Sequence, residues 1–262
     1  MSTLNIPARP ASPGYGIDYV VEKTNALVPV TVEFSENANF SPSTNGTNAQ
    51  LSLTPGKTLY FRVKSTSNKF SSLPYTLEIP ARPAAPAFGI DFSNERTSSA
   101  VDNSYEYSIS ETFTNTQNGP NASLTLTPGT NLHFRKKYTN TSFYGLTQTL
   151  VVPARPSITS SIADTTKESL VGLNITFPTT VSGFMASDIR ITNGLLKSIL
   201  GSYTIQVAPV NTGYVSVNID ANVVSEGNFK PTSSGFIMIR IQDSAILNFR
   251  EFPYSPIQAG DL

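Results

Sequence analysis

Short runs of alternating apolar and polar residues recur along the whole chain. Residues 59–63 place Leu59, Phe61 and Val63 at every second position, and a period of two predicts a strand with one buried face. The Leu-Ser-Leu of residues 51–53 follows the same rule. No segment has the 3.6-residue period of an amphipathic helix. The pattern therefore predicts an all-β chain.

The Thr-Pro-Gly-Lys segment at residues 54–57 separates these two runs. Proline fixes φ and glycine accepts positive φ, which is typical of a turn, so a hairpin is predicted over residues 51–64. Further strands are predicted at residues 16–20, 29–34 and 75–79, which gives about five short strands. This set of strands favours a two-sheet sandwich.

The strand pattern repeats every 73 residues. The Ile-Pro-Ala-Arg-Pro of residues 6–10 returns at residues 79–83 and, with Val in first place, at residues 152–156. When residues 8–80 are aligned with residues 81–153 without a gap, 33 of the 73 pairs are identical. Such a repeat is typical of a structural array, in which modules supply length or number of sites rather than chemistry.

A different strand pattern follows the second copy. The alternating runs predict strands at residues 170–177, 188–192, 203–207, 215–219 and 236–241. The Asn-Gly at residues 193–194 predicts a turn. We therefore expect a third β-sandwich after the two repeats.

Together these patterns predict an all-β protein of tandem Ig-like or fibronectin-III-like β-sandwich modules in an elongated array. The residues at 3–7 match those at 76–80, so we expect the chain to begin inside a preceding copy. The predicted boundaries are residues 1–7 for the last strand of a preceding repeat or a linker, 8–80 for repeat 1, 81–153 for repeat 2, 154–243 for a bacterial Ig-like sandwich and 244–262 for a tail.

Each junction between modules carries an arginine between prolines. Arg9, Arg82 and Arg155 follow Pro-Ala and precede Pro, and closely spaced prolines favour an extended, semi-rigid spacer. We expect each arginine to pack its aliphatic stem between neighbouring modules, with Asp18 and Glu22 orienting it. A ligand contact at these arginines is the alternative.

Two motifs resemble those of bacterial surface proteins. Residues 183–194, Gly-Phe-Met-Ala-Ser-Asp-Ile-Arg-Ile-Thr-Asn-Gly, resemble the bacterial Ig-like domains near the ends of large secreted adhesins. The pattern Leu-Thr-Pro-Gly-x-x-Leu-x-Phe-Arg-x-Lys, closed by Val/Ile-Pro-Ala-Arg-Pro, resembles fibronectin-III-like repeats in surface proteins of Bacteroidetes and Firmicutes. The resemblance extends to residue 243. It implies an extracellular or cell-surface adhesion protein of Bacteroidetes type, from families without catalytic residues.

Composition excludes several classes of function. Lys+Arg and Asp+Glu number 18 each, so the chain lacks the excess of basic residues that nucleic acid or anionic lipid attracts. The absence of Cys excludes thiol chemistry, disulfides and Cys-ligated metals. No apolar run approaches the roughly 20 residues of a membrane helix. We expect no nucleic-acid partner, no membrane insertion in this segment, and a monomer.

Catalysis and metal binding are not expected. The only histidine, His133, corresponds to Tyr60 in the first copy, so it is predicted to face outward from a strand, and a Ser-His-Asp arrangement would depend on it alone. In the third module, acidic residues could converge at one end of the sandwich, although solvated loop positions are favoured: Asp164, Asp188, Asp220 and Glu226. We therefore predict no enzyme, and we assign no catalytic residue, no metal and no cofactor.

Exposed aromatic side chains are the candidates for ligand contact, since aromatic rings on a β-sandwich can stack on sugars. The chain has 11 Tyr and 15 Phe but no Trp. The apolar residues of the tail are expected to pack against the side of the third module, and they are also the best candidate partner site. An added strand of that module and a linker are the alternatives. The candidates are Tyr15, Tyr138, Tyr144, Tyr254, Phe249 and Phe252.

These observations favour a non-catalytic stalk or adhesion segment that spaces or presents binding modules outside a bacterial cell. The alternative is a set of modules that bind a glycan or a host matrix protein, in one version as an accessory region of a secreted hydrolase. The alternative depends on the exposed aromatic side chains and on the tail.

Overall fold

A computed structural model describes residues 6–160, 165–166, 168–201, 203–231 and 235–239 of the chain. The chain divides into two compact units. The first unit contains both repeats up to Val152, and the second contains the residues from Pro153 onwards together with Phe92–Asn94. The described residues are all-β, with one 3-10 turn at Ala186–Asp188.

Repeat 1 is a small sandwich of two antiparallel layers. Its strands are β1 (Ile17–Asp18), β2 (Lys23–Thr24), β3 (Val32–Ser35), β4 (Thr44–Asn45), β5 (Thr58–Val63) and β6 (Tyr75–Glu78). The larger sheet has the order β4-β3-β5-β6, and β1 pairs with β2 in the other layer. All of these pairs are antiparallel.

Repeat 2 has the same strands in the same order. They are β7 (Ile90–Asp91), β8 (Arg96–Thr97), β9 (Tyr105–Ser108), β10 (Gln117–Asn118), β11 (Leu132–Lys136) and β12 (Gln148–Leu150). The larger sheet has the order β10-β9-β11-β12, and β7 pairs with β8. The identities between the two repeats thus correspond to one shared topology.

The predicted hairpin over residues 51–64 is wrong. A turn does form at residues 54–57, where Lys57 N donates to the carbonyl oxygen of Thr54 (3.3 Å) and Gly56 takes a φ of 81°. Residues 51–53, however, pair with the β2 side: Leu53 N donates to the carbonyl oxygen of Glu22 (2.9 Å). Because β3 and β6 occupy both edges of β5, the turn carries the chain from one layer to the other.

The core of repeat 1 lies between these layers. Leu59 and Phe61 point inward from β5 at alternate positions, and Leu53 covers them from the opposite layer. Gly46 allows the segment after β4 to approach closely, because a Cβ there would lie 2.2 Å from the carbonyl oxygen of Pro29. Gly119 in repeat 2 is in the same situation, with 2.0 Å to the carbonyl oxygen of Asp102.

The second unit contains two four-stranded sheets. Its strands are β13 (Ser157–Ser160), β14 (Thr165–Thr166), β15 (Val171–Thr176), β16 (Ile189–Thr192), β17 (Gly194–Leu200), β18 (Thr204–Pro209), β19 (Gly213–Ile219) and β20 (Gly235–Ile239). The orders are β13-β15-β18-β17 and β14-β20-β19-β16, and only β14 and β20 are parallel among these pairs. Buried side chains that alternate along β15, β18 and β19 form the core.

Three strands of the second unit, β13, β14 and β17, are absent from the sequence-based prediction. β17 contains a register shift between Leu196 and Ser198, so its apolar residues do not keep a period of two. Asn193, with a φ of 58°, leads from β16 in one sheet to β17 in the other. The predicted turn at residues 193–194 is therefore a crossing between sheets. In the part of the chain that the structure describes, no helix is long and apolar enough to cross a membrane.

Candidate functional site at the junction of the two repeats

Arg82 connects the two repeats. Its Nη2 forms an ion pair with Glu22 of repeat 1, and its Nη1 donates to the carbonyl oxygen of Tyr144 in repeat 2 (3.1 Å). Its guanidinium carbon also lies 5.8 Å from the ring centroid of Phe143. Since both charged side chains are half-buried, with 29% and 28% exposure, this pair is better shielded from water than an exposed ion pair.

Aromatic packing accompanies the ion pair. The ring of Tyr19 in repeat 1 lies 5.0 Å from the ring of Phe143 in repeat 2, tilted by 58°. Phe143 is fully buried and belongs to the core cluster of repeat 1. The junction thus combines an apolar contact with a charge pair beside it, and both contacts join residues of different repeats.

The turn between β1 and β2 positions the contacts that repeat 1 supplies. Asp18 accepts hydrogen bonds from the backbone N–H groups of Val20 (3.0 Å) and Val21 (3.3 Å), which closes the turn. Glu22 takes a φ of 58° and directs its carboxylate to Arg82. The sequence predicts that Asp18 and Glu22 both orient the arginine. In the structure, Asp18 closes the turn and Glu22 alone pairs with Arg82.

Arg9 and Arg155 make contacts that resemble those of Arg82 within their own modules. Arg9 Nη1 donates to the carbonyl oxygen of Ser71 (2.7 Å), and its guanidinium lies 5.4 Å from the ring of Phe70. In the second unit, Arg155 Nη1 donates to the carbonyl oxygen of Lys230 (2.7 Å). The guanidinium of Arg155 lies 5.8 Å from the ring centroid of Phe229. Each of the three arginines therefore donates a hydrogen bond to a backbone carbonyl and lies beside a phenylalanine.

A cleft of about 380 Å³ lies beside this junction in the first unit. Tyr138 is the most exposed of the aromatic candidates in the described residues, at 41%. Polar groups face the same space and offer hydrogen-bond donors and acceptors. The cleft is lined by Ile17, Asp18, Tyr19, Val20, Asn25, Tyr138, Thr139 and Asn140.

The other aromatic candidates differ in their surroundings. Tyr15 is buried in the core of repeat 1, 4.6 Å from the ring of Phe61, so its expected exposure is wrong. Burial raises its pKa. Tyr144 is half-buried, 3.9 Å from the guanidinium of Arg135, and burial together with the negative charge of Glu106 raises its pKa. Tyr254, Phe249 and Phe252 lie outside the described residues.

A second arginine site recurs on the outer face of each large sheet. In repeat 1, Arg62 Nε donates to Glu33 (2.7 Å), and the ring of Phe40 covers the guanidinium at 4.0 Å. In repeat 2, the same geometry joins Arg135 to Glu106 and to the ring of Phe113 at 3.9 Å. This site is absent from the sequence-based prediction. The signal was present, because the Glu, Phe and Arg are identical in both copies.

His133 faces outward from β11, as the alternation predicts, but it is not exposed to solvent. The side chain is 4% exposed, and its Nδ1 lies 3.1 Å from Thr149 Oγ1 on β12. His133 shares the outer face of β11 with Arg135, whose guanidinium lies 3.9 Å from the ring centroids of Phe113 and Tyr144. A residue on the outer face of this sheet can therefore be buried.

The acidic residues of the third module do not form a common site where they are described. Glu226 accepts hydrogen bonds from Ser182 N (2.8 Å) and Ser182 Oγ (2.7 Å), which lower its pKa. Asp220 pairs with Arg190, and Asp188 accepts a hydrogen bond from Met185 N. Asp164 lies outside the described residues. Among the described residues, no group of three His, Cys, Asp or Glu side chains is placed to hold a metal ion.

Comparisons with known proteins give similarities to solved structures alone. No protein-family model matches the chain, and no curated protein matches it. The chicken CNTN1 FN1-FN3 domains align with 88% of this chain and 99% of their own, at 13% identity and a TM-score of 0.20. The S-layer protein rSbsC aligns with 93% of this chain and 41% of its own, at 12% identity and a TM-score of 0.20. Likeness at this level carries no argument about function.

Proposed function

We propose that this chain is a non-catalytic stalk or adhesion segment that spaces or presents binding modules outside a bacterial cell. The observation that supports it most directly is the junction at Arg82. Its ion pair with Glu22 and the Tyr19–Phe143 ring contact join consecutive repeats. A spacer can hold a distant module at a defined position only if its junctions resist bending, because each flexible joint adds conformational entropy.

The extracellular location and the bacterial origin are part of this proposal. They follow from the resemblance of the repeat motif and of residues 183–194 to surface-protein repeats. A protein of this kind needs no cofactor, and we propose that it acts as a monomer. Other modules of the same surface protein bind its partners. In the second candidate function, this chain binds a partner itself.

Small-angle scattering of the purified chain tests the spacer role. An elongated particle with the mass of one chain is expected if the modules follow one another as a stalk. A compact globule that holds all three modules together would contradict the proposal. Measurement at several protein concentrations separates a long monomer from an end-to-end dimer, because the apparent mass of a dimer depends on concentration.

Glycan binding is a second candidate function, and the cleft at the junction favours it. Sugar recognition needs an apolar ring face beside hydrogen-bonding groups. Tyr138 supplies an exposed ring, and Asp18, Asn25 and Asn140 supply carboxylate and amide groups around the same 380 Å³ space. A glycan bound there would contact residues from both repeats.

A glycan array probed with the chain and with Tyr138→Ala tests this candidate. We expect signals that the substitution abolishes and that Tyr214→Ala, a change at an exposed tyrosine of the second unit, leaves intact. No signal on the array, or a signal that persists in Tyr138→Ala, would contradict glycan binding in the cleft. A pull-down on host matrix proteins with the same variants examines a protein ligand.

A further inference from the structure

The two repeats differ at one phenylalanine that they share. Phe70 in repeat 1 is 46% exposed, whereas Phe143 at the same position of repeat 2 is fully buried. The contacts within each module are alike, since Arg9 and Arg82 each bind a backbone carbonyl one residue after this phenylalanine. The difference therefore comes from the preceding module, because repeat 1 covers Phe143 with Tyr19.

The junction arginines of the two repeats differ in the same way as the phenylalanines. Arg82 is half-buried and paired with Glu22. Arg9 is exposed, and no carboxylate of the described residues pairs with it. Arg9 is nevertheless held in place by its hydrogen bond to Ser71. We call Arg9, Phe70 and Ser71 the upstream face of repeat 1.

Aromatic residues that cover such a phenylalanine occur twice in the described residues. Tyr19 lies against Phe143, and Phe92, the residue at the same repeat position as Tyr19, lies 5.1 Å from Phe229 within the second unit. The described residues contain three Arg–Phe pairs, but a covering aromatic ring lies against only two of them. The pair that remains uncovered is Arg9 with Phe70.

We propose that the upstream face of repeat 1 binds another β-sandwich module of the same repeat type. The turn between its first two strands would place an aromatic ring on Phe70 and a glutamate carboxylate on Arg9, as Tyr19 and Glu22 do on repeat 2. The partner is defined by this chemistry: an aromatic residue and a glutamate three positions later on one tight turn. The proposal concerns the interface alone and does not depend on a location at the cell surface.

Duplication of repeat 1 within the full chain tests this interface. Because the repeat has no gap, residues 1–80 can be followed directly by residues 8–262. The chain contains no Trp, so Phe70→Trp in the downstream copy is a unique fluorescent probe of the upstream face. We expect acrylamide to quench this Trp several-fold less in the duplicated chain than in the chain of normal length, with emission shifted to shorter wavelength.

Variants of the inserted copy test the assigned contacts. The double change Tyr19→Ser and Glu22→Gln in the upstream copy should raise acrylamide quenching of the downstream Trp back to the level seen in the chain of normal length. Val21→Ser, on the same turn with its side chain 51% exposed, should not. Equal quenching in the duplicated and normal chains would overturn the proposal, and so would protection that survives the double change.

Hydrogen exchange provides the same test without tryptophan, in case its larger ring does not fit. The chain with a duplicated but otherwise unchanged repeat 1 should exchange the amides of residues 69–71 in the downstream copy more slowly than the chain of normal length. Equal exchange rates, with circular dichroism showing that the added copy is folded, would overturn the proposal.

Discussion

At the scale of single residues, each repeat has an arginine at two kinds of position, one at the module junction and one on the outer face of the large sheet. Arg82 binds a backbone carbonyl with one nitrogen and a carboxylate of the neighbouring repeat with the other. Arg62 lies between a glutamate and an aromatic ring on the outer face of its sheet. A planar guanidinium with five N–H donors suits both positions, whereas a lysine ammonium could not make both directed contacts and stack on a ring.

Replacement of Arg82 by Ala should lower the free energy of unfolding of the first unit by about 1–3 kcal/mol, since it removes hydrogen bonds to a charged group and leaves Glu22 unpaired. Arg9→Ala is the matched control, because Arg9 has the same carbonyl contact without the ion pair. Urea denaturation of both variants measures the difference. Equal losses in the two variants would contradict the role assigned to Glu22.

The ion pair at Glu33 predicts a dependence of stability on pH. Burial raises the pKa of Glu33, but hydrogen bonds from Ser43 and Arg62 and the charges of Arg62 and Lys64 outweigh it, so the pKa lies below its ordinary value of 4.5. A lowered pKa in the folded state contributes stability above the unfolded pKa, and this contribution is lost as pH falls through the folded pKa.

The unfolding free energies of the unaltered chain and of Glu33→Gln should therefore differ most near neutral pH. The difference should shrink as the pH falls below 4.5, the ordinary value of this carboxyl group, since protonated Glu33 and Gln are both uncharged. Urea titrations at a series of pH values measure it. A difference that stays constant down to the lowest pH would show that the charge of Glu33 contributes nothing.

Residue positions could be predicted from the sequence only in part. The junction arginines were visible in the Pro-Ala-Arg-Pro motif, but their acceptors are backbone carbonyls, which leave no signature in the side-chain sequence. Tyr15 is a stacking candidate in the sequence because it is aromatic, and nothing in its local pattern indicates that it packs on Phe61 in the core. Alternation along the strand predicts that His133 faces outward, but it does not indicate what covers the outer face. In repeat 2, the rings of Phe113 and Tyr144 lie over Arg135 on that face.

At the scale of secondary structure, alternation identified most strands and misjudged their partners. Residues 51–53 and β5 both alternate and flank a Pro-Gly turn, which is the usual pattern of a hairpin. Their backbone groups pair in different layers because β3 and β6 already occupy both edges of β5. Sheet membership depends on which edges remain free, and that is decided by the whole module rather than by the local sequence.

Gly46 gives a sharp test of the packing between strands. A Cβ at residue 46 would lie 2.2 Å from the carbonyl oxygen of Pro29, so the backbone would have to move. We expect Gly46→Ala to destabilise the first unit by about 1–3 kcal/mol, the typical cost of overpacking a well-packed site. Gly14→Ala, where nothing lies within 4 Å of the added atom, is the control. Similar midpoints in thermal unfolding for both variants would contradict this packing.

At the scale of the whole molecule, the 73-residue period was the feature most readily recognised from the sequence. The strands of the two repeats follow the same order, as this period predicts. The sequence did not indicate that the two repeats form one compact unit, because the contacts that join them involve only a few side chains. Tyr19, Glu22, Arg82 and Phe143 provide the cross-repeat contacts described above.

We expect the junction at Arg82 to hold repeats 1 and 2 in one fixed arrangement. The chain has no Cys, so Ala38→Cys and Glu111→Cys, at equivalent exposed positions of the two repeats, can carry a pair of spin labels. The distance between them should have one narrow distribution. It should broaden in Arg82→Ala and remain narrow in Arg9→Ala. A broad distribution in the chain with Arg82 intact would contradict the claim.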